Sequence, residues 1–186
     1  MQEAEAKTLA QLGGLKLGKT ILTADQIQKR VTEIARHVNH DYSGKKLLVV
    51  GVLENGFMFM SDLVRQLEMP VICGFVRPES KETSVSGTAA IEIFYAPEFD
   101  VQGKDILIVE ALVQSGITSE FLIRNMSTRG AASVKLAALF DKQSERRVML
   151  NPDYFGFILD DSYVVGYGMG APDIGRNLPF VAQFAK

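Results

Sequence analysis

Two hydrophobic rhythms alternate along the chain. Short apolar runs predict strands at KKLLVVGVL (46–53), PVICGFV (70–76), IEIFY (91–95), Asp105 to Glu110, SVKLAALF (133–140), YFGFIL (154–159) and SYVVGYG (162–168). Between them, apolar residues recur at helical spacing. Ile27, Val31, Ile34 and Val38 form one stripe over 25–38, and Met60, Leu63, Val64 and Leu67 form another. A third helix is predicted from about 118 to Gly130, a residue type that favours a helix C-terminal cap. PESKETSVSGTAA (78–90) is polar, small and without period, which predicts a mobile loop. Residues 1–18 read as an appended helix or loose tail, leaving 19–186 as one domain. Strands alternating with helices predict an α/β fold around a mainly parallel sheet. Ligands in such sheets bind at the carboxyl ends of the strands, which puts 53–57, 110–118 and 140–143 on one rim.

Composition narrows the function classes. With 186 residues, 47% hydrophobic and 23% charged, the chain is long enough for one domain with a real core. A net charge of -2 offers no electrostatic case for nucleic acid as the main partner. The single cysteine, Cys73, excludes an internal disulfide and fits a reducing compartment; its small side chain is expected in the core. No apolar run reaches membrane length, and MQEAEAKTLAQ is acidic and polar, so a soluble cytoplasmic protein is expected. His37 and His40 stand three apart, a spacing that suits metal ligands. Lacking a Cys or carboxylate constellation beside them, they read as the cationic end of a helix.

The stretch ILIVEALVQSGIT (106–118) carries the first chemistry. An apolar strand, a small-residue loop and a helix N-terminus make a phosphate cradle. Successive backbone N–H groups and the helix dipole favour an anion, Ser115 and Thr118 add hydroxyls, and Gly116 permits close backbone approach. A plain strand-to-helix turn fits the same letters.

Several segments together resemble the hypoxanthine-guanine phosphoribosyltransferases, type I phosphoribosyltransferases of purine salvage. They are ILTADQIQKRV, GVLENGFMFMSDLVRQL, the 106–118 stretch, LFDK, NPDYFGF and YVVGYGMGAPDIGRNLPF, and they span roughly residues 20–182. The resemblance implies the type I fold with a small C-terminal hood, and a transfer of phosphoribose from phosphoribosyl diphosphate (PRPP) to a 6-oxopurine. It further implies Mg²⁺ as cofactor and a homodimer or homotetramer. By resemblance Gln114, Ser115, Gly116, Ile117 and Thr118 hold the 5′-phosphate. Lys142 reads the 6-oxo group, Tyr163 stacks on the purine, the Val164 backbone meets the base edge, and Arg176 binds the pyrophosphate side. Lys142 equally fits a solvated strand-end lysine, and Tyr163 with Val164 ordinary strand packing.

The chain also departs from the family pattern. Two adjacent acids end the family's central strand; here they are Glu110 and Ala111, so Glu110 is left alone for the ribose hydroxyls and metal. An aspartate that takes the purine N7 proton is replaced by Gln114, a neutral amide with no basic function near pH 7. A Lys-Gly pair in the pyrophosphate loop is replaced by Glu54-Asn55, and a second metal-carrying aspartate by Gly170, with Asp173 nearby as a partial substitute. The mobile loop's Ser-Tyr pair becomes Ser80-Lys81. The retained positions suit a purine nucleotide 5′-monophosphate. The replaced ones predict weak or lost transfer, or else a nucleotide sensor or a regulatory subunit.

Overall fold

The structure is a computed structural model that describes residues 17–82, 89–96, 99–160, 163–170 and 174–184. In chain order the elements are β1 (Leu17–Leu22), α1 (Ala24–Asp41), β2 (Leu47–Val52), α2 (Phe57–Val64), β3 (Val71–Glu82), β4 (Ala89–Ala96), β5 (Asp105–Val113), α3 (Ile117–Thr128), β6 (Ser133–Asp141), β7 (Tyr154–Ile158), β8 (Val164–Val165) and β9 (Val181–Phe184). A short 3₁₀ turn occupies Gln143–Glu145. Six strands form the main sheet in the order β4-β3-β2-β5-β6-β7. All its pairs are parallel except β3 with β4.

Alternation along the strands assigns the two faces. Leu107 and Val109 of β5 join Leu47 and Val49 in a core completed by Ile27, Val31 and Ile34 of α1 and by Phe59, Met60 and Leu63 of α2. Ile106 and Ile108 point the other way, into a core with Leu48, Val50, Leu122 and Met126. Each such fully buried Leu, Ile or Phe contributes about 1.5–3 kcal/mol. A capping box opens α1: the Thr23 hydroxyl accepts from the Gln26 amide at 3.3 Å, and the Gln26 side chain accepts from the Thr23 amide at 2.9 Å. At the far edge Arg30 of α1 donates to the Gly156 carbonyl of β7 at 2.8 Å. No described helix is long and apolar enough to cross a membrane.

Four expectations change. The polar stretch from 78 is strand as far as Glu82 and again from Ala89, because β3 and β4 pair antiparallel well beyond the body of the sheet; a backbone ladder needs no apolar period. Residues 83–88 lie outside the described residues. Cys73 is exposed rather than buried: β4 pairs with β3 only from Phe75 onward, so the start of β3 is a free edge. The hood is a three-stranded sheet, β1-β9-β8, and so draws on the N-terminal side of the chain as well as the C-terminal one. Leu17 and Gly18 belong to it, whereas residues 1–16 of the expected extension lie outside the described residues. SYVVGYG is strand only at Val164–Val165, since Gly166, Tyr167 and Gly168 all take positive φ and turn the chain.

Candidate active site at the carboxyl rim of the sheet

The loop 114–116 joins β5 to α3. Gly116, the residue before the first helical turn, has φ +78, a conformation that favours glycine. The first-turn amides of α3 lack intrahelical partners, as in any α-helix; that of Ile117 donates to the Ser115 hydroxyl at 3.4 Å. A neighbour completes the cradle. After β6 the chain turns back, and the Arg147 amide donates to the Ser115 carbonyl at 2.9 Å. Arg146 lies against Gly116 so closely that a Cβ there would sit 2.9 Å from Nη1. Its other terminal nitrogen is ion-paired with buried Asp141, while Nη1 is buried with no protein partner. Gln114, Ser115, Ser144, Glu145, Arg146 and Arg147 enclose a largely polar cavity of about 590 Å³.

A smaller cavity of about 120 Å³ adjoins it, lined by Asn55, Leu112, Gln114, Lys142, Tyr163, Val164, Met169 and Gly170. Lys142 is only 5% exposed, so it is not a solvated strand-end lysine. Its ammonium is ion-paired with Glu145 at 2.6 Å. Tyr163 is 56% exposed, with its ring edge-on to Phe184 of the hood at 5.9 Å. The arrangement offers a cation, an amide and an aromatic face to one planar ligand. Ile117 is exposed and Thr118 half-buried at the start of α3.

Glu110 stands apart from both cavities. The strand continues to Val113 rather than ending at the acid, so pleating turns Glu110 onto the α3 face of the sheet. There it is buried beside Ser119, with Oε1 unpartnered. Burial pushes its carboxyl up to about 7, against the smaller opposing effects of the Ser119 hydroxyl and the Arg146 charge. The lone acid expected over the ribose therefore points away from the rim. Mg²⁺ is usually held by one or two carboxylates with substrate phosphates. Among the described residues no three of His, Cys, Asp and Glu gather into a metal-binding group, and the one carboxylate lining the two cavities, Glu145, is ion-paired with Lys142, so these linings alone do not fit a Mg²⁺ site. Asp173 lies outside the described residues. His37 and His40 are both exposed, and His40 faces Asp41 at 3.2 Å.

At the opposite end of the rim the chain itself engages Arg176. Arg176 donates to the Asn55 side chain and, at 2.8 Å, to the Gly168 carbonyl, and it is ion-paired with Glu54 at 3.3 Å. A Cβ on Gly170 would meet the Arg176 side chain at 2.9 Å. Ala111 is buried in the core cluster that also contains Val164 and Met169 of the hood.

This geometry has known counterparts. The Phosphoribosyl transferase domain family matches residues 18–172. Hypoxanthine-guanine phosphoribosyltransferase of Bacillus subtilis is 32% identical over 163 residues, 88% of this chain and 91% of that protein. The chain belongs to the hypoxanthine-guanine phosphoribosyltransferase family. It shares the type I fold: a crystal structure of the Bacillus anthracis hypoxanthine-guanine phosphoribosyltransferase superposes with a TM-score of 0.83 at 30% identity, covering 91% of this chain and all of that one. The bifunctional protein TilS/HprT of Listeria innocua is 33% identical over 163 residues, and there the match spans only 25% of the relative's length. Sequence reasoning passed over Arg146 and Glu145, which follow Lys142 within four residues. The spacing Lys142-Arg146 across a turn at the strand's carboxyl end was the available signal.

Proposed function

We propose that the protein binds a 6-oxopurine nucleoside 5′-monophosphate at this rim and performs the phosphoribosyl transfer of its family weakly. The phosphate would lie at loop 114–118, over the α3 amides and the unpaired Arg146 nitrogen. The base would lie between Lys142, Tyr163 and the Val164 backbone. An ammonium donates to a carbonyl and has nothing to accept from an amino group, so it favours hypoxanthine or guanine over adenine.

The single observation that carries the weak-transfer reading is the Glu54–Arg176 ion pair. In the transfer, purine N9 forms a bond to the ribose C1′ as the bond from C1′ to pyrophosphate breaks, and negative charge builds on the leaving diphosphate. Arg176 is the residue that the resemblance assigns to that charge, and here the chain's own carboxylate holds it. Gln114 takes no proton from the purine, and Glu110 is turned from the ribose. Each group of this kind typically contributes a factor of about a hundred or more.

A full transferase, using Mg²⁺ and PRPP as the family does, is the second reading. Family membership favours it, and another acid, Asp173 being the first candidate, would then carry metal. We place either protein in the cytoplasm as a homodimer or homotetramer. Calorimetry with IMP, GMP, AMP and PRPP, each with and without Mg²⁺, tests the choice alongside an assay for IMP formation. The expected outcome is metal-independent IMP or GMP binding with slow turnover. Rapid Mg²⁺-dependent IMP synthesis by the unmodified protein would sink it.

A further inference from the structure

Glu145 sits at the seam of the two cavities. One carboxylate oxygen accepts from the Lys142 ammonium at 2.6 Å, and the other accepts from the Gln114 side-chain amide at 3.1 Å. Two donors from different strands' ends thus converge on one object that carries two adjacent acceptors. A 6-oxopurine substituted at N9 is also such an object. Its O6 and N7 are neighbouring acceptors on one edge of the ring, and N7 carries a lone pair once N9 bears the sugar.

We propose that Glu145 is a displaceable occupant of the base subsite, exchanged for the O6–N7 edge of a 6-oxopurine nucleotide. The inference rests on the reading of this rim as a nucleotide site. Burial decides why an exchange is required. The Lys142 side chain is only 7% exposed, so its charge needs an acceptor whether or not a ligand is bound. The Glu145 side chain is 44% exposed, so its carboxylate regains water when it leaves. The turn that carries Glu145 stays fixed meanwhile. Its two ends are pinned by the Asp141–Arg146 ion pair and by the Lys142 amide, which donates to the Val113 carbonyl at 2.9 Å. Only the side chain has to swing. Glu145 also lines the cavity of loop 114–116, so its departure removes a negative charge from the phosphate's surroundings.

An adenine nucleotide makes no such exchange. Its 6-amino group is a donor and would face the Lys142 ammonium donor to donor. Glu145 therefore sets a threshold that a 6-oxo nucleotide crosses and a 6-amino one does not.

The test is calorimetry of IMP, AMP and ribose 5-phosphate with the full-length wild type, Glu145→Ala and Glu145→Gln. Removing a competing occupant should tighten IMP about tenfold in Glu145→Ala, the factor expected if roughly a tenth of molecules have the subsite open. Ribose 5-phosphate should gain less than IMP, and AMP should not gain. Glu145→Gln keeps a neutral acceptor for Lys142 and should show a smaller IMP gain; it carries the test if the alanine variant folds poorly. Equal gains for all three ligands would overturn the proposal, because Glu145 would then act only as a charge beside the phosphate. Wild-type IMP binding unchanged in both variants would overturn it as well, while leaving the nucleotide site intact. Failure of IMP to bind any of the three proteins would overturn the nucleotide reading and this proposal with it.

Discussion

The two ends of the rim treat a bound anion in opposite ways. At loop 114–118, Gln114 and Ser115 line with Arg146 and Arg147 a cavity of about 590 Å³, and Arg146 Nη1 is buried beside Gly116 with no protein partner. At the turn 54–55 the available cation is already neutralised: Arg176 lies against Glu54 and Asn55 and covers Gly170. Ala111 is buried in the core cluster that also contains Val164 and Met169, and a Cβ on Gly170 would meet the Arg176 side chain at 2.9 Å. Restoring a missing acid is therefore a packing problem before it is a chemical one.

The strongest way to break the comparison is to remove the cation of the open end. Arg146→Ala leaves Asp141 buried without its partner, which should cost about 3–5 kcal/mol in stability. IMP binding should fall at least tenfold in whatever fraction remains folded. Urea unfolding and calorimetry measure the two effects, and undiminished IMP affinity would remove Arg146 from the cradle.

Next comes Ala111→Asp, which puts a carboxylate into an apolar cluster. It should destabilise by about 3 kcal/mol near pH 7.5 and by less near pH 5, where the new acid is protonated. Transfer activity should stay low, since the Glu54–Arg176 pair is untouched. A large gain in IMP synthesis from this single change would contradict the closed picture of the pyrophosphate end.

Glu110 sharpens the comparison from below the sheet. Its folded carboxyl titrates near 7, above the ordinary value of 4.5, so the folded state holds the proton more tightly than the unfolded one. Stability from this group is complete below about pH 4.5, is lost as pH rises through 7 and then levels off, a total of about 3 kcal/mol. Asp105, held low by the Ser133 hydroxyl, acts in the opposite sense and only at lower pH. Subtracting a Glu110→Gln profile from the wild type isolates the effect. Parallel profiles between pH 5 and 8 would place Glu110 in contact with water.

The smallest effect belongs to the surface. Glu54→Lys should remove the carboxylate beside Arg176 and tighten pyrophosphate about tenfold, leaving IMP within about twofold. Equal tightening of both would mean that the rim behaves as one electrostatic surface rather than two.

How much of this was legible beforehand depends on what kind of group carries each feature. The α/β plan and the rim were readable because alternation and helical spacing are properties of contiguous residues. The strand-loop-helix junction at 114–118 was readable because it too is built from contiguous residues. Glu110 was misplaced because an apolar run does not reveal where a strand stops, and three further residues of β5 put the acid inside the sheet rather than on the rim. Gly116 was readable as a place of close backbone approach, but what approaches it was not. Arg146 and Val148, distant in sequence, both stand 2.9 Å from where its Cβ would be, so a bulky residue there disturbs the Asp141 ion pair too. Glu145 was hidden for the same reason: its role depends on two donors brought to it by different strands. The hood's first strand was hidden because LGKTIL has little pattern of its own and becomes a strand by pairing with β9.

The contact from Arg30 to β7 has a consequence beyond the single molecule. β7 closes one side of the six-stranded sheet, and Phe155 and Ile158 on it are exposed. An outermost strand with apolar side chains and unclaimed carbonyls is a template on which another chain can stack. The guanidinium of Arg30 claims the Gly156 carbonyl and reaches the neighbouring Phe155 carbonyl at 3.3 Å, fixing a charge across the middle of that template. An incoming strand would have to break these bonds and bury the charge. One arginine on a helix thus sets a charge and two hydrogen bonds in the way of any strand that would add at this edge, a demand that neither cavity makes.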